Sequence, residues 1–541
     1  MRRYRNCYSW RVRQIHSSAW LLVAVSAILQ VLIFPLPGVY VLCWFALAPL
    51  IIALLRARPA GELEIEGSPR LQPATLAQGF LLAYVCGIVW YAGTCYWIYD
   101  TMRHYGGLSA PAAVLVLFLF CCYLGLYHGL FGLLVALAAR HRNERRALVL
   151  APFLWVAVEL ARTRITGFPW ALLGIAQVDN VALSRIAAWT GVYGVSFEIL
   201  LVNMAVAAAF LVPRQKRGPM LAASIAAAAV LQAGRLVEPP PAGTDHAALL
   251  VQQNIPVSAN WSPAYYQQTL TELASLTLSA TRNAGAKLDL IVWPESPAPF
   301  FTNEPHFREA VSELARQAKV PVVAGAIGSD SPTVNSEGPL FNSAVLVTSS
   351  GEWQGRYDKA HLVPFGEYLP FPSLFSFAGG LTKEVGQFER GTSRRPLDAG
   401  RQQLGTFICY ESIFPDEVRQ FARSGAQVFV NISNDGWYGD SGAYAQHLNQ
   451  TRMRAIENDR WILSATDTGV TASIDPYGRV TARIPRKERT ALLAPYSLTF
   501  VTTFYTRYGD WFAYACAIIS TGALAGRFAF PRIRKKADTS S

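Results

Sequence analysis

The chain has 541 residues, of which 52% are apolar and only 16% are charged, with a formal net charge of +12. One soluble domain is excluded, because ordinary domains are shorter and carry about a quarter charged residues. The basic residues gather largely in the chain ends and short loops. A nucleic-acid partner is therefore not needed to explain the charge, and none is predicted.

Long apolar runs dominate residues 19–236 and return near the C-terminus. A helix of about 18 or more apolar residues can cross the ~30 Å hydrocarbon layer of a bilayer. The first run also has features of a signal peptide, but its long basic flank and the span that follows at once favour a retained anchor. Eight membrane spans are predicted, at 19–36, 39–56, 76–98, 109–139, 147–162, 183–212, 219–236 and 511–530.

Basic residues alternate between successive loops. They are frequent in both tails and in the loops after the second, fourth and sixth spans, whereas the loops after the first, third and fifth hold none, one and two. Cytoplasmic loops carry the excess of Lys and Arg, so both termini are predicted to be cytoplasmic. The predicted domains are a seven-span membrane domain at 1–242, an extracytoplasmic domain at 243–505, and a final span and tail at 506–541.

The outer domain has the composition of a globular protein, and strand and helix patterns alternate along it. Its first half is predicted to contain a strand at 246–255, a helix at 262–285, a strand at 288–295, a helix at 306–319, a strand at 320–327 and a hairpin at 342–359. Its second half is predicted to contain a strand at 403–411, a helix at 414–426, a strand at 427–434, a helix at 443–460 and strands at 461–469, 470–478 and 479–484. This order predicts an α/β layered sandwich rather than a doubly wound sheet.

Cys409 is the one cysteine of the outer domain. Cysteines outside the cytoplasm normally pair, so a lone one is either an inert buried residue or a thiol kept for its reactivity. Glu295 and Lys359 also follow predicted strands, and ligand sites gather at the carboxyl ends of strands. Taken singly, however, Glu295 could be a solvated carboxylate and Lys359 a surface ammonium.

Three motifs, taken together, favour a reactive site over these single-residue interpretations. "WPE" with Glu295, "DKAHLVPFGEYLP" with Lys359 and "CYES" with Cys409 resemble the Glu-Lys-Cys signature of the nitrilase superfamily. "NISNDGWYG" and "RMRAIENDRW" are similar to its later segments. With spans on both sides, nearly the whole chain resembles the bacterial apolipoprotein N-acyltransferase family. The resemblance implies an α-β-β-α sandwich on the periplasmic side of the inner membrane.

That resemblance also implies a reaction. The family transfers an acyl chain from a phospholipid, often phosphatidylethanolamine, to the N-terminal amino group of an S-diacylglyceryl-cysteine lipoprotein, the last step of bacterial lipoprotein maturation. It implies Cys409 as the nucleophile that forms a thioester, Glu295 as the general base and Lys359 as the cation that stabilises the oxyanion. Further functional residues implied by the resemblance are Glu367, Tyr410, Glu411 and Trp261. No metal and no cofactor are predicted, since His104 and His361 lie in no ligand-like grouping.

Several alternatives stay open at this point. Glu367 could orient Lys359 or the substrate amine, and Glu411 could be a buried partner or a solvated carboxylate. The outer-loop residues Trp97, Tyr99, Phe168 and Trp170 could anchor the chain at the membrane interface or line a lipid site. A membrane-bound amidase or nitrilase-like hydrolase with water as acceptor would use the same triad. A non-catalytic receptor would keep the domain for binding alone.

Overall fold

The computed structural model describes residues 15–59, 71–140, 143–296, 298–331, 338–368 and 388–529. Most of the basic residues in both tails, and Arg70, lie outside these ranges, so the orientation prediction rests partly on residues that the structure does not describe. In the N-terminal part, the helices are α1 Ser17–Ile33, α2 Ala48–Leu55, α3 Leu76–Thr94, α4 Trp97–His104, α5 Ala110–Ala138, α6 Glu144–Ala161, α7 Val181–Ser184, α8 Ala187–Thr190, α9 Val192–Leu211 and α10 Arg214–Ala233. A two-stranded ribbon pairs β1 Arg58–Pro59 with β2 Leu71–Gln72.

Among the described residues, four helical segments are long and apolar enough to cross a membrane: α3, α5, α9 and Arg214–Leu236, which begins with α10. Shorter apolar helices at Ser17–Ile33, Tyr40–Leu55 and Trp511–Ala525 coincide with the predicted first, second and eighth spans. The predicted fifth span coincides with α6, which contains Pro152 and the buried Glu159. The membrane character is thus evident in the helices, and the count of eight stays a prediction.

Two predicted spans are interrupted well inside their length and are not single α-helices. Residues 39–56 begin with a 3₁₀ turn, Tyr40–Trp44, before α2 starts. Residues 183–212 are divided into α7, α8 and α9. Gly191 adopts φ +67°, a left-handed value that ends a helix, and a side chain there would collide with the ring of Tyr505.

Residues 246–496 contain two six-stranded sheets. The strands are β3 His246–Gln252, β4 Leu290–Val292, β5 Val322–Ser329, β6 Leu340–Val347, β7 Trp353–Asp358, β8 Leu397–Asp398, β9 Gln403–Ile408, β10 Val428–Ser433, β11 Ile462–Thr466, β12 Thr471–Ile474, β13 Val480–Ile484 and β14 Thr490–Tyr496. The first sheet has the order β14-β3-β4-β5-β6-β7 and the second β13-β12-β11-β10-β9-β8. β3, β4 and β5 are parallel, as are β9, β10 and β11.

Helices cover both outer faces of this pair of sheets. They are α11 Pro263–Asn283, α12 Pro305–Ala318, α13 Pro415–Arg423 and α14 Ala443–Asn458. One apolar core contains residues of both sheets, among them Val292 of β4 and Leu404 of β9. A second core packs Leu273 of α11 and Val311 of α12 on the first sheet. The α-β-β-α sandwich is therefore confirmed, with β8 and β14 as strands that the sequence patterns did not predict.

The chain ends with α15 Phe504–Tyr508 and α16 Trp511–Ala529. The sandwich is joined to the helices of the N-terminal part by a shared apolar cluster that includes Tyr410 and Phe414. Trp170 is fully buried in this contact, and its Nε1 donates to Oε1 of Gln446 on α14 at 2.5 Å. The interpretation of Trp170 as an interfacial anchor is wrong, because its indole faces the sandwich rather than a membrane surface.

Candidate active site

Strand ends position the three central side chains. Glu295 follows β4 by three residues, Lys359 follows β7 directly, and Cys409 follows β9 directly. The backbone N–H of Lys359 donates to the carbonyl of Asn342 at 2.8 Å, which ties the end of β7 to β6. Because β4 and β9 lie in facing sheets, their carboxyl ends bring Glu295 and Cys409 to the same edge of the sandwich.

A buried ion cluster joins Glu295, Lys359 and Glu367. Lys359 Nζ lies 3.3 Å from Oε1 of Glu295 and 2.9 Å from Oε1 of Glu367. Asn342 Nδ2 donates to the same two oxygens at 2.7 Å each. The other oxygen of Glu295 accepts from the backbone N–H of Asn434 at 2.8 Å. Both carboxylates are thus held in place by fixed donors, and the ammonium of Lys359 lies between them.

The charge state of Lys359 follows from these contacts. Burial acts to lower its pKa, but the carboxylates of Glu367 and Glu295 outweigh burial and raise the pKa above its usual value. Lys359 therefore stays protonated at neutral pH. Its ammonium is a fixed positive charge in a site that is almost completely closed to solvent.

Cys409 has an unusual backbone and a neutral thiol. Its φ is +50°, a conformation that costs a non-glycine residue about 1–2 kcal/mol and recurs at functional sites. Burial raises the pKa of the thiol well above its usual value and the Glu295 carboxylate adds to this effect, while Lys359 and Ser433 oppose it. The resting cysteine is therefore a thiol, and a base must remove its proton before it can act as a nucleophile.

Glu411 is a buried partner and not a solvated carboxylate. Its Oε1 accepts from the Tyr357 hydroxyl at 2.7 Å and from the backbone N–H groups of Ala360 and His361 at 2.8 and 3.0 Å. Its Oε2 accepts from the backbone N–H of Ile408 at 2.8 Å. The carboxylate thus connects the residues that follow Lys359 with the residue that precedes Cys409.

Replacing Glu411 by glutamine should destabilise the protein. The amide NH₂ must face at least one of the donors that now point at carboxylate oxygens, and leaving a buried donor without an acceptor costs about 1–3 kcal/mol. We expect a lower thermal midpoint for the detergent-solubilised Glu411→Gln protein, with the exposed Glu389→Gln as control. An unchanged midpoint combined with loss of activity would instead assign Glu411 a part in the chemistry.

The remaining predicted residues lie in different surroundings. Glu367 contacts Lys359 directly, and its Oε2 accepts from the backbone N–H of Val363 at 2.8 Å. Tyr410 points towards the N-terminal helices, where its hydroxyl lies 3.5 Å from the carbonyl of Gly167. Trp261 stacks on Tyr265 with ring centroids 5.0 Å apart, beside the core under the first sheet. The structure therefore groups Glu367 with the central residues and does not bring Trp261 into contact with them.

Sequence reasoning missed several residues of this site. Asn342 bridges the two carboxylates, and Ser433, Asp435 and His447 lie behind Cys409. The motif "NISNDGWYG", which contains Ser433 and Asp435, was identified in the sequence, but no role was predicted for either side chain. Asn342 lies inside a hairpin pattern that carries no signal of its contacts, because they are made with residues 25 and 47 positions away.

Asp467 is a second buried acid near Glu295. Burial raises its pKa to about 8, against the opposing effect of the Ile255 and Asn254 backbone donors. Its Oδ1 accepts from the Ile255 N–H, whereas Oδ2 has no hydrogen-bond partner among the described residues. The folded state therefore holds a proton that the unfolded chain releases above about pH 4.

The stability contribution of this acid should depend on pH. Because its folded pKa is raised, stability falls as pH rises from about 4 to about 8. Asp467→Asn keeps the Oδ1 acceptor and removes the charge, so we expect its thermal midpoint to exceed that of the parent by ~4 °C or more at about pH 8, with little difference near pH 4. Scanning fluorimetry across pH would measure this, with the exposed Asp398→Asn as control. An equal shift at both pH values would contradict a buried proton at Asp467.

Known protein families match the N-terminal helices and the sandwich separately. Residues 26–205 match the apolipoprotein N-acyltransferase N-terminal domain family, and residues 247–504 match the carbon-nitrogen hydrolase family. The apolipoprotein N-acyltransferase of Geobacter metallireducens is 35% identical over 528 residues, which is 95% of each chain. The enzyme of the same name from Methylococcus capsulatus is 33% identical over 444 residues, 81% of this chain and 85% of that one. A third, from Bordetella bronchiseptica, is 32% identical over 539 residues, 92% and 94% of the two chains.

Proposed function

Because this chain belongs to the apolipoprotein N-acyltransferase family, we propose that Cys409 carries an acyl chain as a thioester between a phospholipid donor and a lipoprotein amino group. The chain is an acyltransferase whose outer part is a carbon-nitrogen hydrolase domain. One observation carries the proposal for its residues. The buried ammonium of Lys359 and the carboxylate of Glu295 are in contact with each other, and both charges act on the Cys409 thiol.

The first half-reaction forms the thioester. Glu295 takes the proton of the Cys409 thiol as sulfur attacks the ester carbonyl of the phospholipid, so a carbon–sulfur bond forms and the carbonyl oxygen becomes an oxyanion. Lys359 supplies positive charge to that oxyanion, and the backbone N–H of Tyr410 is a candidate second donor. The oxyanion then collapses, the ester carbon–oxygen bond breaks, and Glu295 returns the proton to the departing lysophospholipid hydroxyl.

The second half-reaction transfers the acyl chain. The ammonium group of the lipoprotein first releases one proton to solvent, and the resulting amine attacks the thioester carbonyl. Glu295 accepts the second proton that the nitrogen loses as the amide bond forms. The carbon–sulfur bond breaks, and the thiolate regains a proton from Glu295. Glu367 keeps Lys359 oriented through both halves, since its carboxylate lies 2.9 Å from the ammonium. Glu295 ends the cycle as it began, as a carboxylate.

The charge of the site fits amine-bearing substrates. Two carboxylates and one ammonium leave the cluster of Glu295, Glu367 and Lys359 with one net negative charge. An S-diacylglyceryl-cysteine N-terminus brings an ammonium group, which a negative site attracts. The zwitterionic headgroup of phosphatidylethanolamine is repelled less by such a site than an anionic headgroup is. We therefore propose phosphatidylethanolamine as donor and the diacylglyceryl-modified lipoprotein as acceptor.

The proposed location is the bacterial inner membrane. Seven spans in residues 1–242 and an eighth in 506–541 would leave the catalytic domain, 243–505, on the periplasmic side with both termini in the cytoplasm. The alternation of basic loops supports this orientation, and the apolar α3, α5 and α9 support insertion. Trp261 keeps a proposed role in substrate contact. Its position beside the first sheet would require a long lipid or peptide substrate to reach it.

Intact-protein mass spectrometry tests the proposal. The full chain is mixed in detergent with phosphatidylethanolamine, phosphatidylglycerol or cardiolipin and no acceptor. An added acyl mass on Cys409 that hydroxylamine removes is expected, and a diacylglyceryl-cysteine peptide should then take the acyl group as an amide. Free fatty acid without an acylated peptide would favour the hydrolase. Lipoprotein acylation without any adduct would rule out the thioester, and intact binding of all substrates without turnover would favour a receptor.

A further inference from the structure

Three buried polar residues lie behind the proposed nucleophile and take no part in the mechanism above. Ser433 ends β10, Asp435 begins the 3₁₀ turn Asp435–Tyr438, and His447 lies in the first turns of α14. The exposed fractions of the three residues are 0%, 4% and 2%. Buried polar groups of this kind must find partners, and each of these finds another member of the group.

The hydrogen bonds form a closed loop through Cys409. The Ser433 hydroxyl donates to Oδ1 of Asp435 at 2.7 Å, and the same oxygen lies 3.1 Å from Nδ1 of His447. On its other side, Nε2 of His447 lies 3.0 Å from the carbonyl oxygen of Cys409. Ser433 and Cys409 directly follow Ile432 and Ile408, which are paired on the adjacent parallel strands β10 and β9, so the two residues lie side by side and close the loop.

The partners of His447 determine its protonation. Nδ1 faces a carboxylate and Nε2 faces a carbonyl, and both of these groups only accept, which favours hydrogen on both nitrogens. The Ser412 hydroxyl, 2.8 Å from Nε2, then acts as a second acceptor. Burial acts to lower the pKa of His447, but the Asp435 carboxylate and the Cys409 carbonyl outweigh it and raise the pKa. The other groups around the ring are the Ser412 hydroxyl at 2.8 Å, Tyr438, the more distant Glu295 charge and the Trp170 indole, which is parallel to it with centroids 6.3 Å apart.

The backbone of Cys409 explains why such a loop is needed. A cysteine at φ +50° is strained and persists only where the surroundings hold it. Nε2 of His447 holds the Cys409 carbonyl. Trp170 of the N-terminal part supports this arrangement, because its indole lies parallel to the His447 ring and donates a hydrogen bond to Gln446. His447 thus holds Cys409 through its backbone carbonyl, whereas the charges of Glu295 and Lys359 act on its thiol.

We propose that Ser433 is a further catalytic residue, whose hydroxyl donates to the Cys409 thiolate, and that Asp435 and His447 are positioning residues that hold Cys409 in its left-handed conformation. This inference rests on the proposed thioester chemistry. When Glu295 takes the thiol proton, the Ser433 O–H turns from Asp435 to the sulfur and keeps its own proton. Asp435 meanwhile retains the N–H of His447, so no other proton moves.

Alkylation of Cys409 by iodoacetamide tests this without any lipid. The rate, mapped to the Cys409 peptide by mass spectrometry across pH, reports the thiolate directly. For Ser433→Ala we expect an alkylation rate about tenfold lower at neutral pH and a thiol titration displaced to higher pH by about one unit. Ser464→Ala, a buried serine on the neighbouring strand β11 whose hydroxyl bonds Asn431, is the matched control and should behave as the parent. An unchanged profile in Ser433→Ala would overturn its role.

Two substitutions of His447 separate positioning from packing. His447→Leu should lower the alkylation rate ~10-fold or more, since the Cys409 carbonyl loses its donor. His447→Gln should restore most of that rate, because an amide N–H can replace Nε2. In the parent the rate should decline again at alkaline pH as the imidazolium loses its proton, and His447→Gln should lack this decline. Equal rates and profiles for the two variants would reduce His447 to a packing residue and overturn its role.

Thioester formation measured on the same variants separates the two proposals. If the parent forms no adduct from phospholipid while alkylation follows the expected pattern, the loop stands and the thioester proposal falls. If the adduct forms at the parent rate in Ser433→Ala and His447→Leu, the inference about the loop falls and the thioester stands.

Discussion

Replacing Cys409 by alanine is expected to abolish the acyl adduct and to lower lipoprotein N-acylation by ~10⁴-fold or more. The sulfur is the atom to which the acyl chain is proposed to bind, and the described neighbours offer no second thiol in the sandwich. Glu295 and Lys359 would remain paired with each other in the variant, so loss of activity would not reflect an unpaired buried charge.

The matched control for this variant is Cys122→Ala. Cys122 is a partly buried cysteine of α5 in the N-terminal part, and its loss should leave the adduct and the turnover unchanged. The measurement is intact mass after incubation with phosphatidylethanolamine, followed by acyl transfer to a diacylglyceryl-cysteine peptide. Peptide acylation by Cys409→Ala at the parent rate would eliminate the covalent mechanism.

Glu295→Gln is expected to slow thioester formation by ~10²–10⁴-fold. Glutamine has the shape of glutamate but takes no proton from the thiol, whose pKa is held well above its usual value by burial. The variant should regain part of its rate as pH rises, because the thiolate then forms without the carboxylate. Lys359 keeps its contact with Glu367 in this variant, so the oxyanion donor stays in place.

Single-turnover kinetics with rapid quenching would measure this loss and its pH dependence. Glu309→Gln, an exposed glutamate of α12, is the control and should react as the parent does. A rate for Glu295→Gln that is reduced equally at all pH values would indicate that Glu295 positions the site and does not act as its base.

Local patterns predicted those parts of the fold that are decided by nearby residues. The helix 262–285 is observed as α11, and Ser262 accepts from the Tyr265 N–H as an N-cap should. The hairpin 342–359 is observed as β6 and β7, with Gly351 at φ +86° in the turn. Both elements carry their own start and stop signals, so their sequences are sufficient to identify them.

Features decided by distant contacts were not predicted. The break before α9 depends on Gly191, which is packed against Tyr505 more than 300 residues later. The strand β14 pairs with β3, which lies more than 230 residues earlier in the chain, at the start of the sandwich. In the site, motif resemblance identified the residues that the structure groups as Glu295, Lys359 and Glu367. Asn342 and His447 were not predicted as site residues, because their contacts with Glu295 and Cys409 are made across long sequence separations and leave no local pattern.

The apolar cluster shared by the sandwich and the N-terminal helices limits which truncations and recombinations of the gene can give a folded protein. Tyr410 and Phe414, next to Cys409, complete their packing on residues of the other part. A gene fragment that encoded residues 247–504 alone would leave that face open to water and prone to self-association. Recombination between relatives must likewise exchange Gly167 and Trp170 together with the partners they touch on the sandwich. Contact residues of the two parts therefore have to change together during evolution, although each part matches a family of its own.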